Sequence, residues 1–232
     1  MGKIVAIGGG SMKEGETLAL DRHAIGLTGK PNPEILLLPT ASGDSNGFIG
    51  RQKRYFKQLG CRSKALCLLT GGYGDTEIED MILSYDLIYV GGGNTAFMLD
   101  VWRRRGVDGY LRRAFINGAV LCGVSAGAIC WFSWGMTDTS ADTGEADGFS
   151  WAKGLGLLNA SFCPHYNQPG RGHFDKMQGQ KPLCGVAMGD GAALVENDGR
   201  HYVLKQSESC QAFLFSPDGE KQPLANGQEI SI

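Results

Sequence analysis

Four times in its first 127 residues the chain runs a short, unbroken apolar stretch straight into small residues. Lys3 to Ile7 ends in Gly8-Gly9-Gly10. Ile35-Leu36-Leu37-Leu38 leads into Thr40-Ala41-Ser42-Gly43. Leu87-Ile88-Tyr89-Val90 leads into Gly91-Gly92-Gly93-Asn94-Thr95, and Ala119-Val120-Leu121-Cys122 into Gly123-Val124-Ser125-Ala126-Gly127. Continuous rather than alternating apolar runs belong to strands buried on both faces. Helical patterns fall between them, over Phe48–Leu59, Glu77–Ser84, Ala96–Arg104 and Val107–Asn117. Strand and helix in alternation predict an α/β fold with a mostly parallel sheet and helices on both faces. The working loops of such a sheet collect at the carboxyl ends of its strands, so the glycine-rich turns should meet there.

The remaining segments are less regular. Ser63–Thr70 reads as a further strand. The segment 137–154 is polar and acidic, with Asp138, Asp142, Glu145 and Asp147, and reads as a surface loop or flap. Short strands follow at Ala160–Cys163, Gly185–Met188, Ala192–Val195, Tyr202–Lys205 and Ala212–Phe215. The last three are expected to be antiparallel, with Asn197-Asp198-Gly199 as one of their turns. A length of 232 residues suits one domain over 1–232. Glycine supplies 36 residues, well above the usual share of about 7%, and its clusters between apolar runs suit tight turns better than a linker.

Charge and cysteine content exclude several function classes. The net charge of −2 offers no basic surface for nucleic acid and no polybasic patch for a membrane. No apolar stretch approaches the roughly 18 residues of a membrane span, and the short run at the amino terminus reads as a strand rather than a signal peptide. The seven cysteines (61, 67, 122, 130, 163, 184, 210) are scattered without a CxxC pair. They are expected to be reduced, mostly buried thiols in a cytoplasmic protein, with no metal site. An exposed edge strand near the carboxyl terminus would allow a homodimer.

The chemistry concentrates at Gly123-Val124-Ser125-Ala126-Gly127. The Gly-x-Ser-x-Gly spacing places a serine in a strained strand-to-helix turn, and its neighbours two residues away must lack bulk. Ser125 is then a nucleophile candidate, and the Ala126 N–H a first donor for an oxyanion. The turn at Gly92, Gly93 and Asn94 could supply a second donor or touch substrate. The bland alternative is a tight crossing in which Ser125 only caps a helix. Gly91-Gly92-Gly93-Asn94-Thr95 has neither the ending of a P-loop nor the spacing of a dinucleotide fingerprint. A serine nucleophile needs a base. Of His23, His165, His173 and His201, only His165 directly follows a strand, in Phe162-Cys163-Pro164-His165. Asp190, between Gly189 and Gly191, is the preferred third member, with Asp138 and Asp142 as rivals. Core packing is the default reading of Trp131-Phe132-Ser133-Trp134.

Taken together, Gly91-Gly92-Gly93-Asn94-Thr95, Gly123-Val124-Ser125-Ala126-Gly127-Ala128, Pro164-His165-Tyr166 and Gly189-Asp190-Gly191 resemble the peptidase E family of aspartyl dipeptidases, in order and over most of the chain. The resemblance implies a class I glutamine amidotransferase-like fold with serine at the elbow. It implies a triad in the order Ser125, His165, then the acid, and no cofactor. The acid is Asp190 or one from the loop after the serine. The implied substrate is a small peptide, such as an Asp-X dipeptide or, in the cyanophycinase branch, a β-aspartyl-arginine link. The segment Asn167-Gln168-Pro169-Gly170-Arg171 matches neither branch, although Arg171 could pair with a substrate carboxylate. Two rival readings are a non-catalytic small-molecule binder of the same fold and an esterase using His201.

Overall fold

The computed structural model describes residues 2–138 and 148–232. The strands are β1 (Lys3–Ile7), β2 (Glu34–Leu38), β3 (Arg62–Ala65), β4 (Leu87–Val90), β5 (Val120–Val124), β6 (Phe132–Thr137) and β7 (Ser150–Lys153). They continue as β8 (Leu158–Cys163), β9 (Gly185–Met188), β10 (Ala192–Asn197), β11 (Arg200–Lys205), β12 (Ala212–Phe215), β13 (Lys221–Pro223) and β14 (Glu229–Ile230). The helices are α1 (Leu18–Leu27), α2 (Asn46–Gln58), α3 (Asp75–Ser84), α4 (Thr95–Arg104), α5 (Val107–Ile116), α6 (Ala126–Ile129) and α7 (His173–Gln178).

The larger sheet has the order β14-β11-β10-β1-β5-β4-β2-β3. Its β1, β5, β4, β2 and β3 are parallel, and β10 and β11 extend it antiparallel. This is the expected mostly parallel sheet with helices on both faces. Alternate side chains of each central strand leave for opposite faces, as strand geometry requires. Ile4, Leu36, Leu38, Ile88, Val90 and Leu121 enter one core with α4, α5 and α6. Val5, Ile7, Ile35, Leu37, Leu87, Tyr89 and Cys122 enter the other, with α1 and α2. Each fully buried aliphatic side chain contributes about 1.5–3 kcal/mol, which is why these runs carry no polar residue on either face.

A second sheet, β13-β12-β9-β8-β6-β7, packs against the first core. Its members correct several expectations. Trp131 and Phe132 are fully buried, in keeping with core packing, but the helix after Ser125 lasts one turn and Phe132 opens β6, where its ring stacks on Phe162 at 4.4 Å. The helix stops because the chain returns over it. The Leu155 N–H takes the Cys130 carbonyl at 2.7 Å, and the Leu157 N–H takes that of Trp131 at 2.8 Å. The expected loop 137–154 contains β7, paired antiparallel with β6; Asp142, Glu145 and Asp147 lie outside the described residues. Ala212–Phe215 is antiparallel to β9 rather than continuing the β10–β11 hairpin. The Ser63–Thr70 strand ends at Ala65. After it the Leu66 N–H still bonds Leu37 O at 2.9 Å, before Leu66 and Leu68 turn into the core.

All seven cysteines are unpaired thiols, four of them buried. Among the described residues no helix is long and apolar enough to cross a membrane.

Candidate active site

Ser125 occupies the turn between β5 and α6 at φ 57°, ψ −117°, a region that costs a non-glycine residue roughly 1–3 kcal/mol. The fold pins it there. Its N–H donates to Ile7 O at 3.0 Å, and its carbonyl accepts from the N–H groups of Ala128 and Ile129 at 2.9 and 3.0 Å. The two glycines of the motif are required sterically, as their spacing implied. A Cβ at Gly123 would overlap the Gly127 carbonyl, and one at Gly127 would overlap that of Val90. With its main chain fully engaged, Ser125 leaves only its hydroxyl to act.

That hydroxyl lies 2.9 Å from His165 Nε2. His165 Nδ1 lies 2.7 Å from Asp190 Oδ1. A carboxylate at Nδ1 fixes the hydrogen there, so Nε2 is the acceptor for the serine proton. Both groups follow strands of the second sheet, His165 after β8 and Asp190 after β9, whereas Ser125 follows β5 of the first. His165 therefore does not share a sheet edge with the serine turn; the two sheets bring their strand ends together. The first glycine cluster is the joint between them. Gly8 O accepts from the His165 N–H at 3.2 Å, and Gly9 O accepts from the Gly191 N–H at 3.0 Å. Gly9 pairs with Asp190 in an isolated bridge, and a Cβ on it would overlap both Asp190 Oδ1 and His165 Nδ1. His165 itself is at φ 54°. Two of the four non-glycine residues with positive φ among the described residues are thus Ser125 and His165.

Two residues that sequence reasoning did not single out complete the acid's surroundings. Asn167 Nδ2 and Gln168 Nε2 donate to Asp190 Oδ2 at 3.2 and 3.0 Å. Asn167 Oδ1 accepts from the Asp190 N–H at 2.8 Å. The hydrogen bond from His165 is the main reason that the Asp190 carboxyl is held down to about 2; the amides of Gln168 and Asn167 assist, and partial burial opposes them. Asp190 is thus anionic throughout the neutral range. No sequence pattern signals these amides beyond their adjacency to His165.

The rival residues that the structure describes are engaged elsewhere. Asp138 accepts from Arg171 at 2.8 Å. Arg171, read as a possible partner for a substrate carboxylate, is buried in that pair, with its guanidinium 5.2 Å from the Phe149 ring centre. His23 meets the Tyr202 hydroxyl at 2.8 Å, His201 meets Glu196 at 2.6 Å, and His173 Nδ1 contacts Gly170 O at 3.1 Å. An esterase arrangement through His201 is therefore not formed.

Gly92 lies beside the nucleophile: a Cβ on it would sit 3.4 Å from Ser125 Cβ and 3.9 Å from Oγ. Gly93 lines the same opening. Asn94, expected to share this role, is instead the N-cap of α4. Its Oδ1 accepts from the Phe97 N–H at 3.0 Å, and its own N–H donates to Ala41 O at 2.8 Å. The Ala126 N–H opens α6 and so has no acceptor within the helix. A pocket of about 840 Å³ opens beside Ser125, bounded by Gly10, Gly92, Gly93, Gln52, Tyr55 and His165. Asp21 lies behind it, accepting from Thr17 Oγ1 and the Tyr55 hydroxyl, each at 2.7 Å. Burial pushes the Asp21 carboxyl up to about 6, against the lowering effect of Tyr55 and Thr17.

A sequence model of peptidase family S51 matches residues 4–204. "Uncharacterized peptidase YgaJ" of Bacillus subtilis (strain 168) is 41% identical over 198 residues, covering 84% of this chain and 83% of that protein. "Uncharacterized peptidase Lmo0363" of Listeria monocytogenes is 30% identical over 136 residues, 57% of this chain and 65% of that one. Among solved structures, the crystal structure of a peptidase from an acI-B1 Actinobacterium superposes with a TM-score of 0.76 at 21% identity. It covers 100% of this chain and 97% of that one.

Proposed function

Because this chain belongs to peptidase family S51, we propose that it is a serine peptidase that hydrolyses short peptides through an acyl-enzyme on Ser125. The observation that carries the reading is the unbroken series from Ser125 Oγ to His165 Nε2 at 2.9 Å and from His165 Nδ1 to Asp190 Oδ1 at 2.7 Å. In this mechanism His165 Nε2 takes the Ser125 proton as Oγ adds to the peptide carbonyl. The Ala126 N–H, with an N–H of Gly92 or Gly93, stabilises the charge that develops on the carbonyl oxygen. Asp190 holds the imidazole in the reactive tautomer and stabilises the imidazolium. His165 then passes its proton to the leaving amine, and water, deprotonated by His165, releases the acyl group.

An aminoterminal Asp-X dipeptide is the first substrate to try. The test is a mass-spectrometric hydrolysis screen over dipeptides with varied first residues, including Asp-X and β-Asp-Arg, with Ser125→Ala protein as the control. Turnover present in the wild type and lost in Ser125→Ala supports the reading. Turnover that survives Ser125→Ala refutes it.

A further inference from the structure

The pocket beside Ser125 is longer than a dipeptide. One wall is a single face of α2, with Phe48, Arg51, Tyr55 and Gln58 taken from successive turns. At 1.5 Å per residue that face runs about 15 Å. An extended peptide advances about 3.3–3.6 Å per residue, so the wall matches about four residues on one side of the nucleophile.

The wall is also one-signed. Arg51, Arg54 and Lys13 line the pocket, and no Asp or Glu does so among the described residues. Helix α2 carries Arg51, Lys53, Arg54 and Lys57 and no acidic residue, on a chain whose net charge is −2. Neither Arg51 nor Arg54 has a carboxylate within ion-pair reach among the described residues. Arg51 lies over the Phe48 ring, 5.7 Å from its centre, at the pocket wall. Asp21 does not offset these charges from the pocket surface, because it is 1% exposed behind Thr17 and Tyr55. A concave surface of one sign concentrates ligands of the opposite sign.

We propose that this groove seats an acidic peptide segment of about four residues extending away from Ser125, so that acidic oligopeptides bind more tightly than dipeptides. The carboxylates of that segment face Arg51 and Arg54, and its backbone runs along Tyr55 towards Gln58. The inference rests on the serine-peptidase reading for the position of the scissile bond but not for the binding itself, and its test is separable from turnover.

The probes are fluorescein-labelled hexapeptides of matched sequence carrying Glu, Gln or Lys, titrated into Ser125→Ala protein by fluorescence anisotropy, with an Asp-X dipeptide as competitor. The Glu peptide is expected to bind about ten-fold tighter than the Gln peptide at low salt and to lose that advantage near 1 M salt. Arg51→Gln with Arg54→Gln should remove about the same ten-fold from the Glu peptide alone. Arg51→Lys with Arg54→Lys should restore most of it. Glu and Gln peptides binding alike, the double Gln variant binding the Glu peptide unchanged, or the dipeptide competing as well as the unlabelled hexapeptide would each overturn the proposal. Tight, charge-dependent binding without hydrolysis by the wild type would leave the groove standing and remove the peptidase reading instead.

Discussion

Replacing Asp190 by Asn tests the site more sharply than deleting it. Asp190 Oδ2 is held by two donors, the amides of Asn167 and Gln168 at 3.2 and 3.0 Å, whereas Oδ1 faces His165 Nδ1 at 2.7 Å. An Asn side chain must keep its oxygen towards those amides, so its NH2 group is turned to His165 Nδ1. The imidazole then places its hydrogen on Nε2, where it no longer accepts the Ser125 proton. A second loss comes from charge. The fall of the Asp190 carboxyl from 3.8 to about 2, owed first to His165, corresponds to about 2 kcal/mol. Its side chain is 23% exposed, and solvent screening leaves about 1–2 kcal/mol for the contact between the carboxylate and His165. That amounts to a factor of about five to thirty in rate. With the wrong tautomer added, kcat for peptide hydrolysis should fall by about 10³–10⁴. Asp190→Ala leaves the tautomer free and should be more active than Asp190→Asn. The assay is steady-state hydrolysis of the best peptide from the screen, with thermal unfolding as a check on folding. Asp190→Asn within about three-fold of wild type, or more active than Asp190→Ala, refutes the reasoning. Asp142→Asn, at the rival position outside the described residues, should stay within about three-fold.

Gly9→Ala should cost about 100-fold in kcat while the protein remains folded, because its Cβ would displace both His165 and Asp190; wild-type rates with a normal circular dichroism spectrum would contradict this. Asp21 links stability to pH. Its folded value of about 6 lies above 3.8, so its contribution is fully present below pH 3.8 and is lost as pH rises through about 6. Over that window the loss is about 3 kcal/mol, and Asp21→Asn should abolish it. Denaturant titrations should therefore show the variant gaining on the wild type between pH 4 and 6, and a gap that does not change with pH would rule the linkage out. Asp190 acts in the opposite sense: its folded value is depressed, so its contribution is present above 3.8 and is lost as pH falls towards 2.

What the sequence made legible follows from which signals are local. Strands β1, β2, β4 and β5 are buried on both faces, and their apolar runs announce them. Gly123 and Gly127 are needed for contacts within their own motif and one neighbouring strand, so Ser125 was readable from five residues. His165 and Asp190 were readable because each ends a strand. Where tertiary contact decides, the local pattern does not state the outcome. Phe132 continues an apolar run after α6 but begins a strand, because distant Leu155 and Leu157 take the carbonyls the helix needed. Asn94 was assigned to the site from the glycines before it, although an Asn opening a helix is also a capping signal, and that is its structural role. Asn167 and Gln168 meet Asp190 only once two sheets have been joined, and nothing in their spacing states that. Arg171 has a partner 33 residues away, which removed it from the substrate side.

Intact-mass and peptide-mapping analysis after treatment with an alkyl fluorophosphonate tests the central claim most directly. The account predicts one phosphonyl adduct on Ser125, loss of peptidase activity in proportion to labelling, and labelling slowed at least about 100-fold in His165→Ala. A protein that hydrolyses peptides yet leaves Ser125 unlabelled, or that labels Ser125 at the same rate without His165, would contradict it.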